Sequence, residues 1–307
     1  MNKTVLAHLA AAVAALSAGT AVVATRFVIG ETDPISLAFY RYLIGSLCFL
    51  PLLPFIWPKE RVSASEFGKI AVLGLLFFCL FTWGFNAALE VIPAARGAVG
   101  LATVPIQTLI VAAIFGREAM TARKIASVAI AFAGIAIVFG PAAMNVSPDG
   151  TLFGDAAMLL GVFCAALYSV FSRASLMKHG PLFVTAIAMM FGALALLVLS
   201  LVTTGVPGVP GFSTKGWIAV VFLGTFAGAI QFALFTWALR WLPPSMPVLY
   251  ISLNPIMAMV LGVLLIGETV TWPLVFGLAL VLTAILLGSG VLSNLLKRIG
   301  AAKADGC

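Results

Sequence analysis

The chain reads as a succession of apolar runs parted by short polar breaks. A membrane-spanning helix needs about 20 consecutive apolar residues. On that ruler runs fall near 5–25, 36–56, 67–89, 94–114 and 122–140, then near 152–173, 181–203, 214–239, 244–265 and 272–293. In lipid every backbone N–H and C=O must find a partner within the protein, so spanning segments are helices or parts of a closed barrel. Runs this long select helices. The predicted fold is an all-α integral membrane protein of ten transmembrane helices. The stretch from Lys3 through Ala24 has the outline of a signal peptide, but internal repetition gives it a structural counterpart and favours a first span.

Shifting the sequence by 147 places Arg26 on Arg173, Pro34 on Pro181 and Gly45 on Gly192. A shift of 150 places Gly74 on Gly224, Phe85 on Phe235, Pro93 on Pro243, Pro105 on Pro255, Glu118 on Glu268 and Gly140 on Gly290. Ala, Leu and Gly coincide easily by chance, so the Pro, Arg and Glu pairs carry the inference. The expected units are residues 1–145 and 146–295, five spans each, followed by a cytoplasmic tail at 296–307. An odd number of spans makes the second unit enter the membrane from the opposite side, an inverted-topology repeat. Two such halves can exchange conformations about a central site, exposing it alternately to either side.

Composition narrows the class further. The chain is 63% hydrophobic and 9% charged, with mean hydropathy +1.18, against roughly 45–50% apolar and about 25% charged in soluble domains. A water-soluble fold is excluded on that ground. The net charge of +7 is scattered between apolar runs, so nucleic acid is not the expected partner. If the N-terminus is cytoplasmic, thirteen of the 17 Lys and Arg residues fall at span ends on that side. Arg26, Arg41, Arg96 and Lys215 fall opposite, so the bias places both termini in the cytoplasm of a multi-pass cell (inner) membrane protein. Cys48, Cys79 and Cys164 lie inside apolar runs and Cys307 is the last residue. That is neither a disulfide framework nor a metal-ligand cluster, and no cofactor or metal is expected.

Several motifs resemble those of the drug/metabolite transporter superfamily, in its EamA-type ten-span form. The second span opens Pro34, then Phe39, Tyr40, Arg41; the fourth and ninth carry Pro105 and Pro255 in mid-span. Those two spans end in Phe115, Gly116, Arg117, Glu118 and in Leu265, Ile266, Gly267, Glu268, and Gly277 follows in the tenth. The resemblance covers nearly the whole chain, with Arg117 between Gly116 and Glu118 as a departure. It implies efflux of small polar organic molecules. Members of the superfamily include exporters of amino acids and other metabolites, aromatic amino-acid exporters of the YddG type among them.

Candidate transport residues follow from where polarity enters the spans. A proline inside a helix removes one intrahelical bond and displaces the carbonyl four residues earlier. Pro105 and Pro255 would thus free the carbonyls of Leu101 and Ile251 in corresponding places, as hinges beside a binding site or as plain packing kinks. One predicted face holds Pro247, Tyr250, Asn254 and Met257, matched by Gly97, Gly100, Val104 and Gln107. It reads either as a cavity wall or as glycine-mediated packing with amides bonded across helices. Thr82, Trp83 and Asn86 in the third span, and Gly224, Gly228 and Gln231 in the eighth, share helical spacing. Trp83 could shelve an aromatic substrate group, whereas Trp57, Trp217, Trp237, Trp241 and Trp272 suit an interfacial belt. Tyr40, Tyr168, Ser17 and Thr20 are weaker candidates. Arg41, seven residues beyond Pro34, lies about 10 Å deep at 1.5 Å per residue. It either attracts a substrate carboxylate or holds freed carbonyls.

Glu118 and Glu268 end their spans and read as hydrated interfacial groups, while no Asp or Glu falls in the middle of any run. Coupling through a buried acid is disfavoured, with Glu90, Glu31 and Asp155 near span ends as the remaining options. Neutral or zwitterionic cargo therefore fits better than a hydrophobic cation. A membrane-embedded enzyme would need a nucleophile with its base, or a metal site, and a channel would need a filter loop or ring of charges. The sequence offers neither, so the expected partners are a small-molecule substrate and the bilayer. A homo-oligomer is possible through small-residue faces such as Ala126, Ile130 and Gly134, which could equally pack within the chain.

Overall fold

The computed structural model describes residues 3–26, 28, 31–92, 94–144, 151–204, 211–266 and 272–289. The first repeat runs α1 (Lys3–Arg26), α2 (Pro34–Ile56), α3 (Ala64–Val91), α4 in two pieces (Ala94–Leu101 and Val104–Ile114) and α5 (Ala122–Met144). The second runs α6 (Thr151–His179), α7 (Pro181–Thr204), α8 (Thr214–Trp241), α9 in two pieces (Ser245–Tyr250 and Leu253–Ile266) and α10 (Trp272–Ser289). Among the described residues the chain is an all-α membrane protein of ten helices in two repeats. Glu268, Gly267 and the tail at 296–307 lie outside the described residues.

Helix starts show the repetition in their chemistry. Ser63 caps α3 by accepting from the Glu66 N–H, and Ser213, 150 residues on, caps α8 by accepting from the Gly216 N–H. Asp33 caps α2 through the N–H groups of Ile35 and Ser36, with Pro34 at the first helical position, where its missing donor costs nothing.

The helices pack in pairs that respect a two-fold relation. α2 lies on α7 and α5 on α10; α1 meets α8 as α3 meets α6, and α1 meets α9 as α6 meets α4. Exchanging each helix of one half for its counterpart leaves this set of neighbours unchanged. With five spans per half, the axis relating them lies in the membrane plane. Gly134 and Gly277 bring α5 and α10 together: a Cβ on either would stand 2.9 or 2.8 Å from the other's carbonyl oxygen. Gly134 is thereby used inside the chain.

Two departures from α geometry recur in both halves. Residues Leu75–Phe81 of α3 and Thr225–Ile230 of α8 form π-helical turns, at the same place under the 150-residue shift. π-turns unravel the regular ladder and cluster at functional positions. α4 breaks at 102–103 and α9 at 251–252, each just before its proline. Pro105 falls in the first turn of a new helical piece, where it breaks no bond, and Pro255 is the third residue of its piece. The Ile251 carbonyl does not stay free, since it accepts from the Asn254 N–H at 2.9 Å.

On the outside, Leu152, Val202, Ile218 and Phe276 are more than half exposed, as expected of side chains that face lipid. Inside, a cluster of rings from α2, α3, α6 and α8 occupies the centre: Phe77 with Tyr168 at 4.8 Å, Phe78 with Phe232 at 4.9 Å, and Tyr42 with Phe78 at 5.1 Å between centroids.

Candidate functional site

A central cavity of about 630 Å³ stands on that aromatic cluster. Its floor is made by Tyr42, Phe77 and Phe232, with Phe81, Phe85 and Phe235 rising beside them. α1 supplies a wall of small side chains, Ala11, Ala14, Ala15, Ala18 and Ala21, whose helical spacing turns one face of short groups toward the space. Lining residues come in related pairs: Phe81 with Gln231, Thr82 with Phe232, Phe85 with Phe235, Leu101 with Ile251, and Val104 with Asn254. The two-fold axis therefore passes through the cavity, and both helix breaks border it.

The mouth opens where α1 ends, α2 begins and α3 ends, at Thr25, Thr32, Pro34, Asn86 and Glu90. Asn86 Nδ2 donates to the Pro34 carbonyl at 3.0 Å, tying α3 to the start of α2. On this same face Glu31 accepts from the Ser213 N–H at 2.9 Å and from its hydroxyl at 2.8 Å. The opposite face is shut by polar contacts between the halves. Glu66 pairs with Lys178 and with His179, both at 2.5 Å. Glu118 accepts from the Ser245 N–H at 3.0 Å and from its hydroxyl, and pairs with Lys124 at 3.0 Å. His8 Nδ1 lies 3.2 Å from the Tyr250 hydroxyl. The expectation of a hydrated Glu118 is overturned, because its side chain is only 2% exposed and joins α9 to the end of α4.

Polar groups of the wall are incompletely satisfied by the protein. Arg41 donates from Nη2 to the Ala227 carbonyl at 2.6 Å, within the π-turn of α8, while its Nε has no partner. Gln231 Oε1 and Asn254 Oδ1 are likewise buried without a partner. A buried polar atom left unpaired costs roughly 1–3 kcal/mol, so a small polar occupant can recover that cost. Arg41 and Glu90 are the charged residues among the described lining, one cation and one anion facing one space.

Of the residues singled out from sequence, Pro34, Arg41, Thr82, Asn86, Glu90, Val104, Gln231, Pro247 and Asn254 line the cavity. Thr82 also meets the Tyr42 hydroxyl at 3.2 Å. Several other candidates lie elsewhere. Gly100 faces Met158 of α6, so the close-packing alternative describes it. Gln107 reaches Thr103 at 3.4 Å, one turn past the break. Tyr168 is fully buried beneath the floor, and Tyr250 turns to His8. Trp83 is half-buried outside the cavity lining. Pro105 is buried in its helix, and the backbone of Pro255 continues α9 just after the break. The phenylalanine walls and the alanine face of α1 are not among the residues expected from sequence, although Phe81 and Phe85 at i and i+4, and the match of Phe85 with Phe235 under the 150-residue shift, are signals of them.

Comparison with known proteins agrees with this architecture. The sequence profile of the EamA-like transporter family matches residues 5–140 and again 152–290. The chain is 25% identical over 272 residues to the transporter YyaM of Bacillus subtilis (strain 168), covering 87% of this chain and 88% of the relative. It is 26% identical over 243 residues to the inner membrane transporter YedA of Escherichia coli (strain K12), covering 78% and 76%. Both relatives are described as uncharacterized transporters. A crystal structure of 20% sequence identity superposes with a TM-score of 0.77 over 95% of this chain and 98% of the other, a likeness of fold. Two matched copies spanning nearly the whole chain, on ten helices around one central cavity, place this protein in the EamA-like transporter family.

Proposed function

We propose that the protein exports amino acids, aromatic and apolar ones included, by alternating access around the central cavity. The observation that carries this reading is the presence of one cation, Arg41, and one anion, Glu90, on the lining of a single space with phenylalanine walls. An amino acid presents a carboxylate, an ammonium group and a side chain. Arg41 suits the first, Glu90 the second, and Phe81, Phe85 and Phe235 the third. The volume of about 630 Å³ falls within the roughly 300–1,000 Å³ of small-molecule sites. The cavity is open at the Glu90 face and shut at the Glu66 face, which is one end state of a rocking cycle. With both termini cytoplasmic, as the Lys and Arg bias favours, this state faces outward, and cargo taken up on the inner face is released through the mouth.

The test is counterflow in proteoliposomes across a panel of amino acids, with a panel of neutral and cationic metabolites alongside. Saturable, protein-dependent exchange of aromatic or apolar amino acids is the expected result. No exchange of any amino acid would remove the proposal, and linear, non-saturating flux would point to a pore.

A further inference from the structure

A second concavity lies away from the transport cavity, on the outer surface where α3 and α6 run side by side near the end of α4. Its rim carries Lys69, Arg117 and Lys178 with Ser175, and its floor carries Val72, Leu76, Leu167 and Phe171. Polarity is graded along both helices. From Lys69 to Leu76, α3 descends about 10 Å at 1.5 Å per residue, and from Lys178 to Leu167, α6 descends about 16 Å. The bases thus stand at headgroup level and the apolar floor reaches into the hydrocarbon, whose half-thickness is about 15 Å.

Two further observations set what the groove accepts. Lys69, Arg117 and Lys178 are exposed, and the one acid present, Glu66, is paired with Lys178 at 2.5 Å, leaving a net positive rim. Gly68 sits beside Lys69 at the rim with nothing within 4 Å of where its Cβ would stand, so the entrance to the groove is unobstructed. The geometry points to a binding site for one anionic glycerophospholipid of the leaflet on the Lys3 face, its phosphate held by Lys69, Arg117 and Lys178 and an acyl chain lying along α3 and α6. The site is separate from cargo recognition. Its occupant bridges helices from both halves on the face that is shut by Glu66 with Lys178 and His179.

The test is native mass spectrometry of the purified protein with phosphatidylglycerol, with phosphatidylcholine of the same chains, and with inorganic phosphate as competitor. A basic side chain near an anionic surface contributes about 1 kcal/mol, about fivefold in occupancy. The wild type is therefore expected to retain phosphatidylglycerol several-fold over phosphatidylcholine, and the double variant K69Q/R117Q to lose that preference. Gly68→Leu keeps every charge and obstructs the entrance to the groove, and is expected to weaken phosphatidylglycerol retention; unchanged retention in Gly68→Leu overturns the site. Equal retention of the two lipids by the wild type overturns the site, as does a preference that survives in K69Q/R117Q. Displacement of the lipid by inorganic phosphate alone overturns it too, by assigning the rim to a soluble anion. Should the double variant not fold, the wild-type comparison and Gly68→Leu decide the matter.

Discussion

A Cβ on Gly192 would stand 3.0 Å from the carbonyl oxygen of Gly74, and one on Gly45 would stand 3.2 Å from the carbonyl oxygen of Gly224. The 147-residue shift takes Gly45 to Gly192 and the 150-residue shift takes Gly74 to Gly224, so each contact is the image of the other. The same reciprocity joins Gly277 with Val138 and Gly288 with Ser127 on α5 and α10. A translation along the chain would carry one contact to a different neighbour. Reciprocal contacts of this kind require a two-fold exchange of the halves, the geometry on which alternating access depends.

Overpacking either member of the central contact is therefore predicted to have similar consequences. Gly192→Val and Gly45→Val each force a branched side chain against the backbone of a facing helix, at a cost of roughly 1–3 kcal/mol. Gly68→Ala meets nothing within 4 Å and should gain about 0.5–1 kcal/mol from helix propensity. Thermal unfolding in detergent measures all three; a Gly192→Val protein as stable as the wild type would show that α3 and α7 do not approach as described.

Arg41 and Glu90 should separate by their effects. Arg41→Gln removes the donor to the buried Ala227 carbonyl, so stability is predicted to fall by about 1–3 kcal/mol along with transport. Glu90 is exposed at the mouth, so Glu90→Gln should leave unfolding unchanged and raise the KM for a zwitterion about tenfold, from loss of a charge-assisted bond. Cargo without an ammonium group should be indifferent to Glu90→Gln. Counterflow kinetics with an amino acid and its deaminated analogue provide the measurement, and equal effects on both would remove Glu90 from recognition.

Much of this fold is legible in the sequence because bilayer thickness sets span length and the repeat shows in scarce residues such as Pro105 with Pro255. The cavity was legible only in part. Gln231 and Asn254 were found because polar amides are conspicuous in apolar spans. A continuous 3.6-residue period would put Tyr250 on the lining face, but the helix breaks at 251–252 and Ile251 takes the lining position instead. The π-turns at Leu75–Phe81 and Thr225–Ile230 leave no compositional mark, since they change the ladder rather than the residues. Glu118 looked hydrated because its burial depends on Ser245, 127 residues away.

The threading of the chain is open to a direct check. Thr32 lines the mouth and Lys59 lies in the exposed turn between α2 and α3, on opposite faces if α2 crosses the membrane once. In a background without native cysteines, Thr32→Cys is expected to react with an impermeant maleimide added to whole cells, and Lys59→Cys only after permeabilisation. Reaction of both from the same side would refute the arrangement of the first two spans.

The shut face carries an asymmetry between the halves that should set the resting conformation. Glu118 accepts from both the N–H and the hydroxyl of Ser245. Its sequence counterpart is Glu268, which lies outside the described residues, and the counterpart of Ser245 is Ala95, which has no hydroxyl to donate. When the halves exchange, the bond to the Ser245 hydroxyl is lost and no equivalent side-chain bond can replace it. A hydrogen bond to a charged group contributes about 1.5–3 kcal/mol, so this hydroxyl favours the state in which the mouth is open. Ser245→Ala makes the two halves chemically alike at this point and is predicted to shift the population toward the other state by about tenfold or more. Spin-label distances measured across the Glu66 face, with one label on Lys59 and the other on Met177, both exposed, would lengthen in a larger fraction of molecules in Ser245→Ala than in the wild type. An unchanged distribution would mean that the Glu118 contact follows closure of this face and does not hold it.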